Sequence, residues 1–218
     1  MTSSIENFIK VVYQIIYDDQ EKAIPSRIAS DLKISNAAVT DMARKLNQSS
    51  LINYIKYVEI KLTPSGEKLA LKVIRKHRLW ELFLQEVLHL SDRDIHIEAE
   101  LLEHNTTDYL INRIDEFLGY PKFDPHGDPI PDTNYRFPDT ETLKSLNQCL
   151  VGPTYIIKRL IHRTNELSSF YRDHNLKLGE ELALDQILPE NNVIVAKFHG
   201  DNLVMGSNVS KYIFVKEK

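Results

Sequence analysis

Apolar residues recur at helical spacing from Ile5 to about Gly119, and at strand-like spacing after Gly152. A chain whose hydrophobic period switches in this way builds helices first and a sheet second. Between the two regimes, residues 119–140 ("GYPKFDPHGDPIPDTNYRFPDT") hold five of the nine prolines and read as a loop or linker. Expected strands after the linker are "TYIIKRLIH", "LKLGEELAL", "NNVIVAKF" and "KYIFVKEK", with a short helix at "NELSSFYRDH". Four or five short strands in about 65 residues suggest a small β-barrel module.

The first third has finer structure. "IENFIKVVYQIIY" is an amphipathic helix, and "AIPSRIASDLKI" is a short helix with Pro25 near its start. "SNAAVTDMARKLNQSSLI" follows, with Ser35 as N-cap and a Val39, Met42, Leu46 stripe. Two short helices separated by about three residues form a helix-turn-helix. The run "LINYIKYVEIKLT" reads as a hairpin, and a hairpin placed directly after a recognition helix is a wing. One long helix is expected from Pro64 to Leu90, then helices at about 92–104 and 106–119.

The second of these three helices carries "HIEAELLEH". His96, Glu100, Glu103 and His104 fall within an arc of about 100° on a helix. Taken alone, the pattern fits a solvated helix face with Glu–His pairs as well as it fits a metal site. His77 and Glu81 share a face one helix earlier. Charge is unevenly spread under the overall −4: residues 1–75 carry +3, residues 76–150 carry −8 and residues 151–218 carry +1. That polarity suits a polyanion at one end and cations in the middle. A single cysteine excludes a disulfide framework and a Cys-rich zinc site. No apolar run approaches the ~18 residues of a membrane span, and "MTSSIENFIK" lacks a secretory pattern, so a cytoplasmic protein is expected. Di-metal oxidases need Glu-x-x-His on two helices, but Glu103 stands three residues after Glu100. With no phosphate loop or nucleophile elbow either, an enzyme is not expected.

The runs "RKHRL", "EAE..EH" and "PHGDPIP", in this order behind a winged helix, resemble the diphtheria toxin repressor family of metal-dependent transcriptional repressors, most nearly its manganese-responsive branch. The resemblance implies a mainly α protein with small β parts. A winged helix-turn-helix DNA-binding domain would span 1–73, and a helical metal-binding and dimerisation domain 74–140. A proline-rich linker would lie within 120–150, and an SH3-like barrel of the ferrous-iron-transport-accessory type would span 151–218. It implies a homodimer that represses from palindromic operator DNA when loaded with Mn(II), or alternatively Fe(II), to control metal homeostasis. A winged-helix regulator that senses another small molecule is the rival from a different class.

Carried over residue by residue, the resemblance assigns His77, Glu100, Glu103 and His104 as ligands. Asn7 stands where the family uses Asp or Met, and Glu6 or water would complete the set. Lys10 falls on a position where the family has a Glu ligand, which places a positive charge near the cations. Glu100, where iron-responsive members carry Cys, favours Mn(II), since hard carboxylates suit that ion. A second site would draw on Glu81, Asp124 and His126, with His162 or Glu166 from the barrel, and His96 matches an ancillary ligand. The bland reading of Asp124 and His126 is a turn Asp and a loop His. For DNA, Ser35, Asn36, Ala37, Thr40 and Arg44 begin or line the recognition helix, with Ser26, Arg27, Lys56 and Lys61 as phosphate candidates. Asp41 should face a base amine or solvent.

Overall fold

The structure is a computed structural model that describes residues 2–55 and 58–218. The chain divides into two compact units: residues up to Pro121 together with Ile130–Pro138, and Lys122–Pro129 together with Asp139–Lys218. Among the described residues no helix is long and apolar enough to cross a membrane.

In the first unit, helix α1 spans Ser3–Tyr17, α2 Pro25–Leu32 and α3 Asn36–Gln48. Phe8, Ile9, Val12 and Ile15 of α1 are fully buried and pack with Ile28, Val39, Ala43 and Leu46 in one core. Full burial of each such aliphatic or aromatic side chain contributes about 1.5–3 kcal/mol. Lys33 ends α2 in the left-handed region, and the Ser35 hydroxyl caps α3 by accepting from the Ala38 N–H at 3.2 Å, so the two helices meet across a tight turn. Strands β1 (Ile52–Ile55) and β2 (Glu59–Leu62) form the antiparallel wing, register Ile52↔Leu62 to Ile55↔Glu59. Its inward residues Ile52 and Ile60 join the same core.

Helix α4 (Pro64–Glu86) begins at Thr63, whose hydroxyl accepts from Gly66 N–H at 3.1 Å. Gly66 lies so close to the base of the wing that a Cβ there would sit 2.0 Å from the Leu51 carbonyl oxygen, so only glycine lets the helix start in this place. The helix stops four residues short of the expected Leu90. His89 turns left-handed, and Leu90 N–H closes onto the Leu84 carbonyl at 3.1 Å. Apolar periodicity continued past the point where the backbone turned. Helix α5 (Asp92–Asn105) is capped by Ser91, with Asp92 and Asp94 in its first turn, where the helix dipole favours them. Helix α6 (Asp108–Phe117) is capped by Thr107 and followed by Gly119 at φ +76°. The turn between α5 and α6 is pinned to α4: Trp80 Nε1 donates to Thr106 Oγ1 at 2.7 Å, and buried Arg75 pairs with Asp115 at 2.6 Å.

The second unit holds one six-stranded antiparallel sheet in the order β3-β8-β4-β5-β6-β7. Its strands are β3 (Lys144–Ser145), β4 (Thr154–Leu160), β5 (Glu181–Leu188), β6 (Val193–Phe198), β7 (Asp201–Gly206) and β8 (Ile213–Glu217). Helix α7 (Asn165–Asp173) and the single turn α8 (Ser207–Ser210) accompany it. The sheet departs from expectation in three ways, the first being the two-residue edge strand β3, which lies before the expected strands and pairs with β8. β5 begins at Glu181 rather than Leu176, because the chain first turns at Gly179, φ +85°. β7 was not expected, since "DNLVMG" lacks β-branched runs. It pairs along its whole length with β6 through a two-residue turn, His199 at φ 50° and Gly200 at φ 91°, the type I′ geometry that hairpins favour. The loop Lys122–Pro129 closes on itself by a Phe123↔Pro129 bridge, and the His126 carbonyl accepts from Leu160 N–H at 2.9 Å.

Candidate metal centre

Three helices of the first unit supply the site. Glu6, Asn7 and Lys10 lie one turn apart on α1, His77 and Glu81 one turn apart on α4, and Glu100, Glu103 and His104 on one face of α5. His77 is the hinge of the arrangement. Its Nδ1 lies 2.7 Å from Glu103 Oε2 and its Nε2 3.0 Å from Glu81 Oε1. Glu81 Oε1 also meets His96 Nδ1 at 3.3 Å, and the two imidazoles stand edge to face, 5.2 Å between centroids.

His104 is held from α1. Its Nδ1 is 2.7 Å from Glu6 Oε2, and its Nε2 is 2.7 Å from Asn7 Oδ1 and 3.2 Å from Glu103 Oε1. A carboxylate that accepts from one ring nitrogen selects the tautomer with the lone pair on the other. Glu6 thereby orients the ring, and Nε2 of His104 is directed at the oxygens of Asn7 and Glu103.

Lys10 enters the same cluster. Its ammonium lies 2.6 Å from Glu100 Oε1, 2.7 Å from Glu103 Oε1 and 2.9 Å from Glu103 Oε2. The Lys10 side chain is 7% exposed and that of Glu103 is 0% exposed. Burial works against the Lys10 charge, but Glu103 and Glu100 outweigh it, so its proton is held more tightly than usual. Burial likewise opposes ionisation of Glu100, and the Lys10 ammonium and His77 overcome it, holding this carboxyl at about 2. For His77, burial and Lys10 both disfavour the imidazolium. Glu81 and Glu103 prevail and hold it up at about 10.

Among the described residues, two donor sets are close enough to surround one ion: His77, Glu81 and His96, and His77, Glu100 and Glu103, each with ligand atoms within 4.8 Å of one another. Carboxylate and imidazole donors without a thiolate suit a divalent cation of the manganese or iron kind. Cys149, the one cysteine, is buried in the core of the second unit. The first unit thus gathers Asn7, His77, Glu81, His96, Glu100, Glu103 and His104.

Asp124, His126 and His162 fall in the second unit and lie close together there. The His126 and His162 rings pack 3.8 Å apart, and His162 Nδ1 is 3.0 Å from Ser168 Oγ. Asp124 Oδ1 accepts from the backbone N–H groups of His126 and Asp128 at 2.8 and 2.9 Å, which shapes the loop. Glu166 is exposed at the start of α7.

The helix-turn-helix residues form an exposed rim. Ser35, Asn36, Ala37 and Arg44 are exposed, and Thr40 is half-buried with its hydroxyl donating to the Asn36 carbonyl at 2.9 Å. Asp41 pairs with Arg44 at 3.1 Å and faces solvent. Ser26 is exposed at the start of α2, whereas Arg27 is engaged by Asp19, Glu21 and Asp31 at 2.8, 2.7 and 3.1 Å. Lys61 projects from the wing beside Glu59, at 2.9 Å, and Lys56 lies outside the described residues. The role that sequence reasoning missed is that of Lys10 as direct partner of both α5 glutamates. The signal was present: a lysine inside the apolar run "FIKVV" needs a buried counter-charge.

A winged helix joined to a His/Glu cluster that spans α1, α4 and α5 defines a metal-sensing transcriptional regulator. Residues 1–60 match the family model of the iron-dependent repressor N-terminal DNA-binding domain, and residues 63–132 that of the iron-dependent repressor metal-binding and dimerisation domain. An uncharacterized HTH-type transcriptional regulator of Methanocaldococcus jannaschii is 34% identical over 54% of this chain and 94% of its own length. The regulator MntR of Oceanobacillus iheyensis is 32% identical over 56% of this chain and 82% of its own length. A solved structure of the manganese regulator SloR superposes with a TM-score of 0.87 at 33% identity and covers 100% of both chains. The chain belongs to the iron-dependent repressor family, which the diphtheria toxin repressor typifies.

Proposed function

We propose that this chain is a Mn(II)-dependent repressor that binds palindromic operator DNA as a homodimer and acts in the cytoplasm on metal homeostasis. The observation that carries the reading is the meeting of α1, α4 and α5 side chains at Asn7, His77, Glu100, Glu103 and His104. A divalent ion would supply one compact double charge to carboxylates that Lys10 and His77 otherwise neutralise. His77, Glu100, Glu103 and His104 would hold it together with Asn7, and His77, Glu81 and His96 would form a second set that shares His77. Because Asn7 sits on the helix that also packs the reading head, ligation there ties the orientation of α3 to the α4–α5 scaffold. In a dimer that linkage would set the spacing of two recognition helices near one DNA turn, ~34 Å. Similarity to MntR and SloR, and Glu rather than Cys at position 100, support manganese over iron.

Residues 1–73 would read DNA through Asn36, Ala37 and Thr40, with Ser26, Ser35, Arg44 and Lys61 on phosphates, while 74–140 would bind metal and dimerise. Arg27 would reach phosphate only by exchanging its carboxylate partners. Residues 151–218 would form an SH3-like barrel. The five antiparallel strands β4 to β8 in that range, with bulges at Ile157/Arg159 and Leu184/Gln186, where strands bend, support that reading. Asp124, His126 and His162 would form a His-containing cluster within the second unit.

The test is DNA binding by fluorescence anisotropy, on duplexes selected from a random-sequence pool, with chelator, Mn(II), Fe(II) or Zn(II). Tight binding with Mn(II), lost with chelator and in Glu103→Ala, is expected. Selective activation by Fe(II) would reassign the metal. Binding indifferent to both chelator and Glu103→Ala would replace the metal sensor by a small-molecule regulator.

A further inference from the structure

Within the metal-sensor reading, on which this inference rests, the Lys10 ammonium stands among the oxygens that reading gives to the ion. It contacts three carboxylate oxygens at 2.6–2.9 Å, and an ammonium has three protons to donate. Glu100 and Glu103 belong at the same time to one of the two donor sets that can surround a cation. We propose that Lys10 is a tethered internal cation, so that divalent ions enter the Glu100–Glu103 pair by exchange against its ammonium and Lys10 sets the metal threshold.

Charge and space both support exchange rather than addition. The two glutamates are already matched by Lys10 and by His77. A double positive charge added beside a buried ammonium would meet like-charge repulsion in a poorly solvated place. Glu103 is wholly buried, but the Glu100 side chain is 36% exposed, and the flexible four-carbon stem of Lys10 gives its ammonium a way out along that side. Without an ion, the same contacts join α1 to α5. The metal-free protein is thus held together by its own side chain, and the ion gains only the difference between its grip and that of Lys10.

Isothermal titration of Mn(II) into chelator-stripped protein tests this, comparing wild type with Lys10→Met and Lys10→Gln in a His96→Ala background that weakens the neighbouring set. Both variants should bind Mn(II) at least about ten-fold more tightly, a difference of about 1.4 kcal/mol. Their metal-free melting temperatures should fall and their Mn(II)-induced rises should grow. Adding Glu103→Gln to Lys10→Met should abolish the gain. A lysine that merely holds the fold would give lower melting temperatures with unchanged or weaker Mn(II) binding, and that result overturns the proposal. Should Lys10→Met be unfolded without metal, recovery of helical circular dichroism on Mn(II) addition supports exchange, and failure to recover in both variants overturns it. If neither wild type nor variants bind Mn(II), the metal-sensor reading falls as well. Equal affinities overturn the Lys10 proposal alone.

Discussion

At the scale of single residues, the centre is a set of charges that satisfy one another without an ion. Glu100 ordinarily titrates at 4.5 and is held at about 2, so its contribution to stability is complete above 4.5 and is lost as pH falls toward 2. His77 ordinarily titrates at 6.5 and is held at about 10, so its contribution is complete below 6.5 and is lost as pH rises toward 10. Together they predict that chelator-stripped protein is most stable between about pH 4.5 and 6.5 and weakens on both sides. Urea midpoints measured from pH 3 to 10 will show this, and His77→Gln should remove the alkaline decline and leave a smaller acid one, since Lys10 still holds the Glu100 carboxyl down. The same imidazolium must give up its proton before it can ligate, so Mn(II) binding should strengthen as pH rises from 6 to 8.

At the scale of elements, termini and turns place the site more than helix interiors do. Ser91 fixes where α5, the helix of Glu103 and His104, begins, and Thr107 fixes the start of α6 behind it. In the second unit the loop Lys122–Pro129 depends on Gly127. Its φ of +81° is a conformation that side chains rarely adopt, and a Cβ there would sit 2.3 Å from the Lys158 carbonyl oxygen of β4. Gly127→Ala should therefore cost about 2 kcal/mol or more, from the backbone conformation together with displacement of β4. Thermal unfolding should register the loss, and a proton spectrum should show shifted His126 and His162 ring signals, since these rings pack against each other next to the loop.

At the scale of the molecule, the acidic middle and the mildly basic first third divide the work between cation and polyanion. The overall charge of −4 leaves modest non-specific affinity for DNA, so binding should depend steeply on salt. Lys61→Ala on the wing should weaken binding about equally on all sequences and lower the salt slope by about 1. Asn36→Ala should instead change preference at one base position by about 1–3 kcal/mol. Anisotropy titrations across a salt series, on selected and scrambled duplexes, separate the two behaviours. A Lys61→Ala variant with sequence-specific losses would remove that lysine from the phosphate contacts.

Much of this architecture is local and therefore legible in the sequence. Hydrophobic period, the N-cap Ser35, Pro25 and Pro64, and the i, i+3, i+4 spacing of Glu100, Glu103 and His104 depend on neighbours within a turn or two. So do the winged helix and the single α5 face shared by Glu100, Glu103 and His104. Hairpin β6–β7 was missed because its strand signal is weak and its turn signal, His199–Gly200, is short. The end of α4 was misplaced because apolar spacing does not report where the backbone turns left-handed. What only the tertiary structure decided is who meets whom between helices. Lys10 reaches Glu100 and Glu103, Glu6 and Asn7 orient His104, and His77 stands between two carboxylates of different helices. The sequence by itself determined which side chains share a helix face. Which ammonium fills the space between two glutamates depends on how three such faces pack, a long-range matter that no local pattern contains.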